Sequence, residues 1–439
     1  VTSFIEAGCV PMNGDWHGAG TLDRAQAILA EHPSIRSHDV YVSAVLGDHQ
    51  AIEAQVSRDP DLATATGGLY DWDALTYLCF SKYLRLDRAR ASDFLESARF
   101  LLAHGASAQT GFYSQDHDPD PSFESVLYGA AGVAHDPDLV RLLVEHGADP
   151  NDGETAYHVP EGYDNRALMV LVESGKVSPI SLITMMHRKL DWHDKEGVAW
   201  LLSKGADPNL LTGWGRRTLH HALGRDVPID FYELILDHGA DPLLADKEGR
   251  TAVMIAARVG RADVLDLFAR RGFSTTLEGK DALLAACAHG DGKTARALAG
   301  ANPNLVSEIE REVPGALAEA AGAGNTAAVE LMLDLGFDIA SRSSSAGQRD
   351  DTALHSAIYR ARNETAMRLI ARGAPLDEKN GRGETMLAYA VRAHLHSEWT
   401  RGRSFVVIEA LLEAGASVEG IEPTGNAELD ALLARYRKS

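Results

Sequence analysis

Side chains able to move protons or to grip a ring are concentrated in one stretch of this 439-residue chain. Four rich segments lie between residues 67 and 217. They are Gly67-Gly68-Leu69-Tyr70-Asp71-Trp72-Asp73, Gly111-Phe112-Tyr113-Ser114-Gln115-Asp116-His117-Asp118, Thr155-Ala156-Tyr157-His158-Val159-Pro160-Glu161-Gly162-Tyr163-Asp164 and Thr212-Gly213-Trp214-Gly215-Arg216-Arg217. Tyr77, Tyr83, Tyr128, His135, His187 and Asp191-Trp192-His193-Asp194 lie nearby in sequence. Aromatic residues make up only 7% of the chain, and the later turns Asp246-Lys247-Glu248-Gly249 and Asn380-Gly381-Arg382-Gly383 carry none, so the enrichment is local. A histidine oriented by a carboxylate can transfer protons near neutral pH. On that ground Asp73, His117, His158 and His193 are the candidate catalytic groups. Tyr and Trp offer rigid amphipathic contact area and often anchor interfaces. The candidate ligand-binding residues are therefore Trp72, Asp73, Tyr77, Tyr113, His117, Tyr128, Tyr157, His158, Tyr163, Trp192, His193 and Trp214. The competing account is that the long turns fold back and bury their own aromatics as local staples.

Other chemistries have little to stand on. No nucleophile elbow, phosphate-binding loop or dinucleotide-binding glycine pattern occurs. His187 and His193 are six apart, which does not place them on one helical face, and His394-x-His396 with Glu398 is a loose group. Neither spacing fixes a metal site, so no metal and no cofactor are expected. Cys9, Cys79 and Cys287 are odd in number and far apart, which points to thiols in a reducing compartment rather than to disulfides. The net charge, 42 basic minus 63 acidic residues or −21, argues against a nucleic-acid binder and against adsorption to anionic lipid. No apolar run approaches the ~18 residues of a membrane helix. Residues 1–20 lack the basic start and apolar stretch of a signal peptide. The expectation is a soluble, cytoplasmic monomer.

The elements that position these residues follow from a recurring phrase. It reads His104-Gly105-Ala106-Ser107, His146-Gly147-Ala148-Asp149-Pro150-Asn151, Lys204-Gly205-Ala206-Asp207-Pro208-Asn209 and His238-Gly239-Ala240-Asp241-Pro242, with degenerate copies to Ala414-Gly415-Ala416-Ser417. From Gly205 the next two glycines follow at 34 and 33 residues. An apolar run of helical period, such as Leu139-Val140-Arg141-Leu142-Leu143-Val144, precedes each glycine. The glycine stands where a helix end wants a left-handed residue. A shorter helix lies upstream, as in Arg217-Thr218-Leu219-His220-His221-Ala222-Leu223 and Asp351-Thr352-Ala353-Leu354-His355-Ser356-Ala357, with Thr as its cap.

A unit of ~33 residues containing turn, helix, helix and Gly-Ala-Asp-Pro loop resembles the ankyrin repeat. The resemblance extends over about residues 20–420 and is sharpest in the middle. The helix start Thr-Pro-Leu-His has mostly drifted, and only Leu219-His220 and Leu354-His355 keep Leu-His. The resemblance implies an all-α fold, a helical repeat solenoid of about 11–12 units in a single curved array. It implies a structural role for His220 and His355, bonding the neighbouring turn, and for Asn151 and Asn209 in the loops. The expected divisions are residues 1–66 (N-terminal cap and degenerate repeats), 67–217 (repeats with long turns and the ligand site), 218–420 (ordinary repeats) and 421–439 (a C-terminal capping helix).

Repeat arrays bind along the groove lined by their turns and inner helices. The leading expectation is a binding protein that recognises a protein or peptide partner through its concave face. The alternative is an enzyme, a hydrolase or lyase, acting on a small polar or sugar-like molecule in a pocket formed by the long turns at 67–73, 109–122 and 152–165.

Overall fold

The computed structural model describes residues 1–12, 16–114, 121–343, 350–396 and 404–437. The fold is all-α, built of successive helix pairs, with one two-stranded hairpin among the described residues. The chain divides into two compact units. The first comprises Val1–His221 with Asp237–Ala240, the second Ala222–Leu236 with Asp241–Ser439.

One repeat shows why the sequence folds this way. Pro137 opens the helix Pro137–Glu145, and the Asp136 side chain accepts hydrogen bonds from the amides of Asp138 and Leu139 at 3.2 and 3.0 Å. The cap satisfies amides that a helix start leaves without partners. Leu139, Val140, Leu142, Leu143 and Val144 are buried. Gly147 then takes a left-handed φ of +96°, and the Ala148 amide donates back to the Leu143 carbonyl at 3.0 Å. The loop asparagines join successive turns. Asn151 donates to the Lys176 carbonyl at 3.1 Å and accepts from the Ser178 amide at 2.7 Å, and Asn209 donates to the Gly239 carbonyl at 2.9 Å. His355 bonds differently from expectation: its Nδ1 closes a capping box with Thr352 of its own helix start, 3.0 Å from Oγ1.

In the first unit the insertion after Gly105 forms the hairpin, β1 (Gly111–Ser114) paired antiparallel with β2 (Ser122–Ser125), Phe112 opposite Glu124. A strand pair was not among the sequence expectations. Apolar residues cluster around it: Phe112 is buried and stacks on Trp72 at 4.3 Å with an interplanar angle of 20°. Residues 1–12 and 16–20 pack on this unit. The Thr2–Gly8 helix buries Phe4 and Ile5, and the Val10 amide donates to the Phe80 carbonyl at 3.0 Å.

The second unit is a run of apolar helix pairs tied at the turns that join each pair. Asp226, left-handed at φ +51°, accepts from Arg362 and, at 3.3 Å, from Arg261. Asn325 donates to the carbonyls of Gly260 and Ala288 at 2.8 and 2.7 Å. Turns of non-adjacent repeats thus converge. A Cβ at Gly260 would stand 3.1 Å from the Ala320 Cα, and φ there is +72°, so the approach needs glycine. The helix Ala427–Tyr436 buries Leu429, Leu432 and Leu433. No helix among the described residues is long and apolar enough to cross a membrane.

Candidate functional site

In the first unit the leading helices of successive repeats stand side by side and bring together a polar and aromatic ladder. Its centre is His158, last residue of the helix Glu154–His158. Four residues earlier, one turn back on the same helical face, Glu154 places Oε2 3.3 Å from His158 Nε2. The turn that follows carries Glu161, whose Oε1 is 2.9 Å from His158 Nδ1. The same oxygen accepts from Arg188 Nη2 at 2.9 Å. Arg188, on the helix Pro179–Asp191, pairs also with Asp191, and its guanidinium lies 4.0 Å above the Tyr157 ring. Asp191 Oδ1 continues to His221 Nε2 at 2.7 Å. The His221 ring stacks on His187 at 4.5 Å with planes 15° apart, and His187 Nε2 is 3.2 Å from Thr218 Oγ1. Trp214 lies over both rings at 6.4 and 6.5 Å and meets the Tyr157 ring edge-on at 5.8 Å.

The electrostatics differ along the ladder. Burial alone would lower the basicity of His158, but its hydrogen bonds and charge pairing with Glu154 and Glu161 outweigh that and push the imidazole up to about 9. It is a cation at neutral pH with both nitrogens committed to carboxylates. Glu161 is buried too, which opposes ionisation, yet His158 and Arg188 hold its carboxyl below the usual range. His187 goes the opposite way: burial, then the positive charge of His221, drives its basicity well below that of a free imidazole. Within the ladder, then, His158 is held charged and His187 neutral.

A second group fixes the loop that carries Glu161. Lys189 has a fully buried side chain and donates to the Gly162 carbonyl at 2.8 Å and to Asp194 at 3.0 Å. Asp194 also caps the next helix through the Gly197 amide at 2.9 Å and accepts from Asn165 at 2.9 Å. Tyr163 donates to the Trp192 carbonyl at 3.0 Å. Burial lowers the basicity of Lys189 despite its pairing with Asp194. A buried pair of this kind destabilises strongly when one partner is removed.

Comparison with known proteins accords with this architecture. The family model for ankyrin repeats, in three copies, matches residues 186–276 and 219–307. Residues 186–307 carry ankyrin repeats. The mouse B-cell lymphoma 3 protein homolog is 29% identical over 155 residues, 32% of this chain and 34% of the relative. Mouse cyclin-dependent kinase 4 inhibitor B is 41% identical over 78 residues, 18% of this chain and 58% of the relative. The chain thus spans between about a third and somewhat over half of these two relatives. The crystal structure of the human ASB11 ankyrin repeat domain aligns with 54% of this chain and 99% of its own at 22% identity, with a TM-score of 0.24.

Against this framework the residues singled out in the sequence separate into three groups of three and three single residues. Trp72, Tyr77 and Tyr128 are interior. Trp72 stacks on Phe112, Tyr77 bridges the Gly67 carbonyl and the Tyr70 amide at 2.9 and 2.8 Å, and Tyr128 bonds His17 Nδ1 at 3.0 Å. Of these, Trp72 lies on a long turn and matches the competing account, whereas Tyr77 and Tyr128 are helix residues. Asp73 is a helix cap, accepting from the Thr76 amide at 2.7 Å and from the Thr110 hydroxyl. The ladder gathers Tyr157, His158 and Trp214. Tyr163, Trp192 and His193 belong to the Lys189 group, with His193 in a left-handed turn at φ +51°. Tyr113 stands apart on β1, 67% exposed and 5.1 Å from Phe123. His117 lies outside the described residues.

Arg188 and His221 were not singled out in the sequence, yet they join the ladder's two halves. The signal for Arg188 was faint: an arginine three residues before Asp191 on one helix face. Nothing in the sequence pairs His221 with Asp191, 30 positions away. Among the described residues no group of three His, Cys, Asp or Glu side chains could hold a metal ion. The three cysteines are buried thiols, and burial raises the pKa of each.

Proposed function

We propose that this chain is a protein-recognition module whose partner docks on the concave side of the first unit, across the leading helices between residues 126 and 221. The supporting observation is the contrast in exposure between that stretch and the rest of the first unit. Trp214 is 44% and Tyr163 68% exposed, each beside rings and hydrogen bonds that fix its surroundings, whereas Trp72 and Tyr77 are consumed by packing. Exposed aromatics on a rigid frame bind with little loss of side-chain entropy. The net charge of −21 favours a basic segment on the partner. A cytoplasmic setting agrees with three cysteines kept as thiols.

The hydrolase or lyase alternative gains nothing from this geometry. A histidine that holds its proton to about 9 between two carboxylates is a poor base at neutral pH. The test is selection of peptides of basic, neutral and acidic character on the purified chain, followed by titration against Trp214→Ala and Tyr163→Ala. Basic peptides weakened about tenfold or more by Trp214→Ala would support the assignment, since anchor residues of this type carry much of an interface's energy. Binders indifferent to both substitutions would move the interface elsewhere on the chain.

A further inference from the structure

A stack of repeats is held mainly by contacts between neighbours, so its ends can open without its middle. The second unit departs from that pattern along one edge. The turn at Asp226 precedes the helix Ile229–Asp237, and the turn at Arg362 precedes the helix Asn363–Ala371. Three helix pairs lie between them, starting at Ala252, Gly279 and Ala316. Arg362 nevertheless donates to the Asp226 carboxylate, 136 residues away. That carboxylate is only 6% exposed, and Arg261 and Arg360 also approach it, at 3.3 and 3.9 Å. A buried charge pair of this kind costs far more to break than an exposed one.

A second link is nested inside the first. Asn325 donates to the Gly260 carbonyl at 2.8 Å, passing over the pair that starts at Gly279, whose Ala288 carbonyl it also binds at 2.7 Å. Contacts between adjacent turns complete a circuit. Arg261 donates to the Val227 carbonyl at 3.1 Å, and Arg362 Nε donates to the Gly322 carbonyl at 2.9 Å. A Cβ at Gly324 would stand 2.8 Å from the Arg362 side chain, so these two turns are in close contact. The turns at Asp226, Gly260, Asn325 and Arg362 therefore form a closed ring rather than a row with two ends.

We infer that the Asp226–Arg362 pair is a clamp that closes the second unit on itself, so that the helices Ile229–Asp237 and Asn363–Ala371 open together. Each helix then carries the stability of the other as well as that of its sequence neighbours. A partner seated on either helix raises the protection of both, because the shared opening requires its release. Asp226 and Arg362 both belong to the second unit, and the clamp does not depend on the docking face proposed for the first.

Amide hydrogen exchange reads the two helices separately. Arg362→Gln should speed exchange in Ile229–Asp237 at least about tenfold, although that helix lies across three intervening helix pairs. Asp226→Asn should do the same to Asn363–Ala371. Arg372→Ala, which breaks ion pairs to Glu330 and Asp334 of the adjacent pair, should leave Ile229–Asp237 unchanged. Unchanged exchange in the distant helix of both clamp variants would overturn the inference, and so would an equal response to Arg372→Ala. Where a clamp variant fails to fold, the wild-type chain decides. In rising urea the slowest amides of the two helices should come to share one opening free energy and one urea slope. If Asn363–Ala371 instead opens in its own step at lower urea, the second unit is a linear stack and the clamp is overturned.

Discussion

His158 in the first unit and His355 in the second both sit on the leading helix of a repeat and both have ring nitrogens inside the protein, yet their protonation is opposite. His158 lies between two carboxylates and keeps its proton to about 9. His355 is fully buried and bonded to the neutral Thr352. Burial, reinforced by the positive charge of Arg342, lowers it to about 4. The same residue type is a fixed cation in one unit and a neutral helix cap in the other. What differs is the immediate surroundings: Glu154 on the same helix and Glu161 on the following turn flank His158, whereas His355 bonds Thr352 and meets the Tyr389 ring edge-on at 5.0 Å. The units also anchor themselves differently. The first ties its leading helices together through charged side chains, and the second ties its helix-joining turns together around Asp226 and Asn325.

The strongest way to break this contrast is to remove a buried charge from each unit. Lys189→Met leaves Asp194 without its cation and should cost about 4 kcal/mol. Five of the six tryptophans fall at or before Trp214, so urea unfolding followed by tryptophan fluorescence reports on the first unit. A loss below about 1 kcal/mol would mean that Lys189 does not hold the loop. Asp226→Ala should cost about 3 kcal/mol in the second unit by leaving Arg261 and Arg362 facing each other. A far-UV circular dichroism melt that shifts by less than a degree would remove the turn cluster from the stability of that unit. Glu161→Gln should cost roughly 2 kcal/mol and bring the His158 titration, followed by NMR, down from about 9 toward the ordinary histidine range.

The pH responses sharpen the comparison further. The raised basicity of His158 means that its stabilisation is complete below the free-histidine value of about 6.5 and is lost as pH rises through about 9. His158→Gln should flatten stability between pH 7 and 9, where a single group contributes a slope of at most about 1.4 kcal/mol per pH unit. His355 has a depressed value, so its contribution is complete above about 6.5 and is lost as pH falls through about 4. His355→Gln should make the second unit less acid-sensitive in that window, and an unchanged acid limb would contradict the buried neutral state. The smallest effect is expected of Tyr163→Phe, which loses one exposed hydrogen bond to Trp192 and should cost no more than about 1 kcal/mol by the same fluorescence assay.

Legibility followed the range of the interaction. The glycine at each helix end, the Asp136 and Thr352 caps and the apolar faces were readable because each is set within four residues of chain. Asp73 was read as a binding or catalytic group and proves to be a cap. The aspartate, three residues ahead of Thr76 at a helix start, carried that signal in the sequence. The aromatic concentration was visible, but its division was not. Trp72 is interior because β1 brings Phe112 onto it from 40 residues away, and no local pattern encodes that approach. The hairpin itself went unread, since the Asp- and Pro-rich insertion offers only four paired residues on each side.

By itself the sequence determined a repeated helix pair, its left-handed glycine turns, its all-α class and the stretch where aromatic and titratable side chains are concentrated. These follow from backbone stereochemistry and hydrophobic period, which act over a single turn of chain. Tertiary structure alone decided that Asp191 meets His221, that Arg188 joins Glu161 to Asp191, and that His17 reaches Tyr128, 111 residues on. Those contacts depend on side chains of different repeats arriving at the same few ångströms, and their energies depend on burial that exists only after the repeats have stacked.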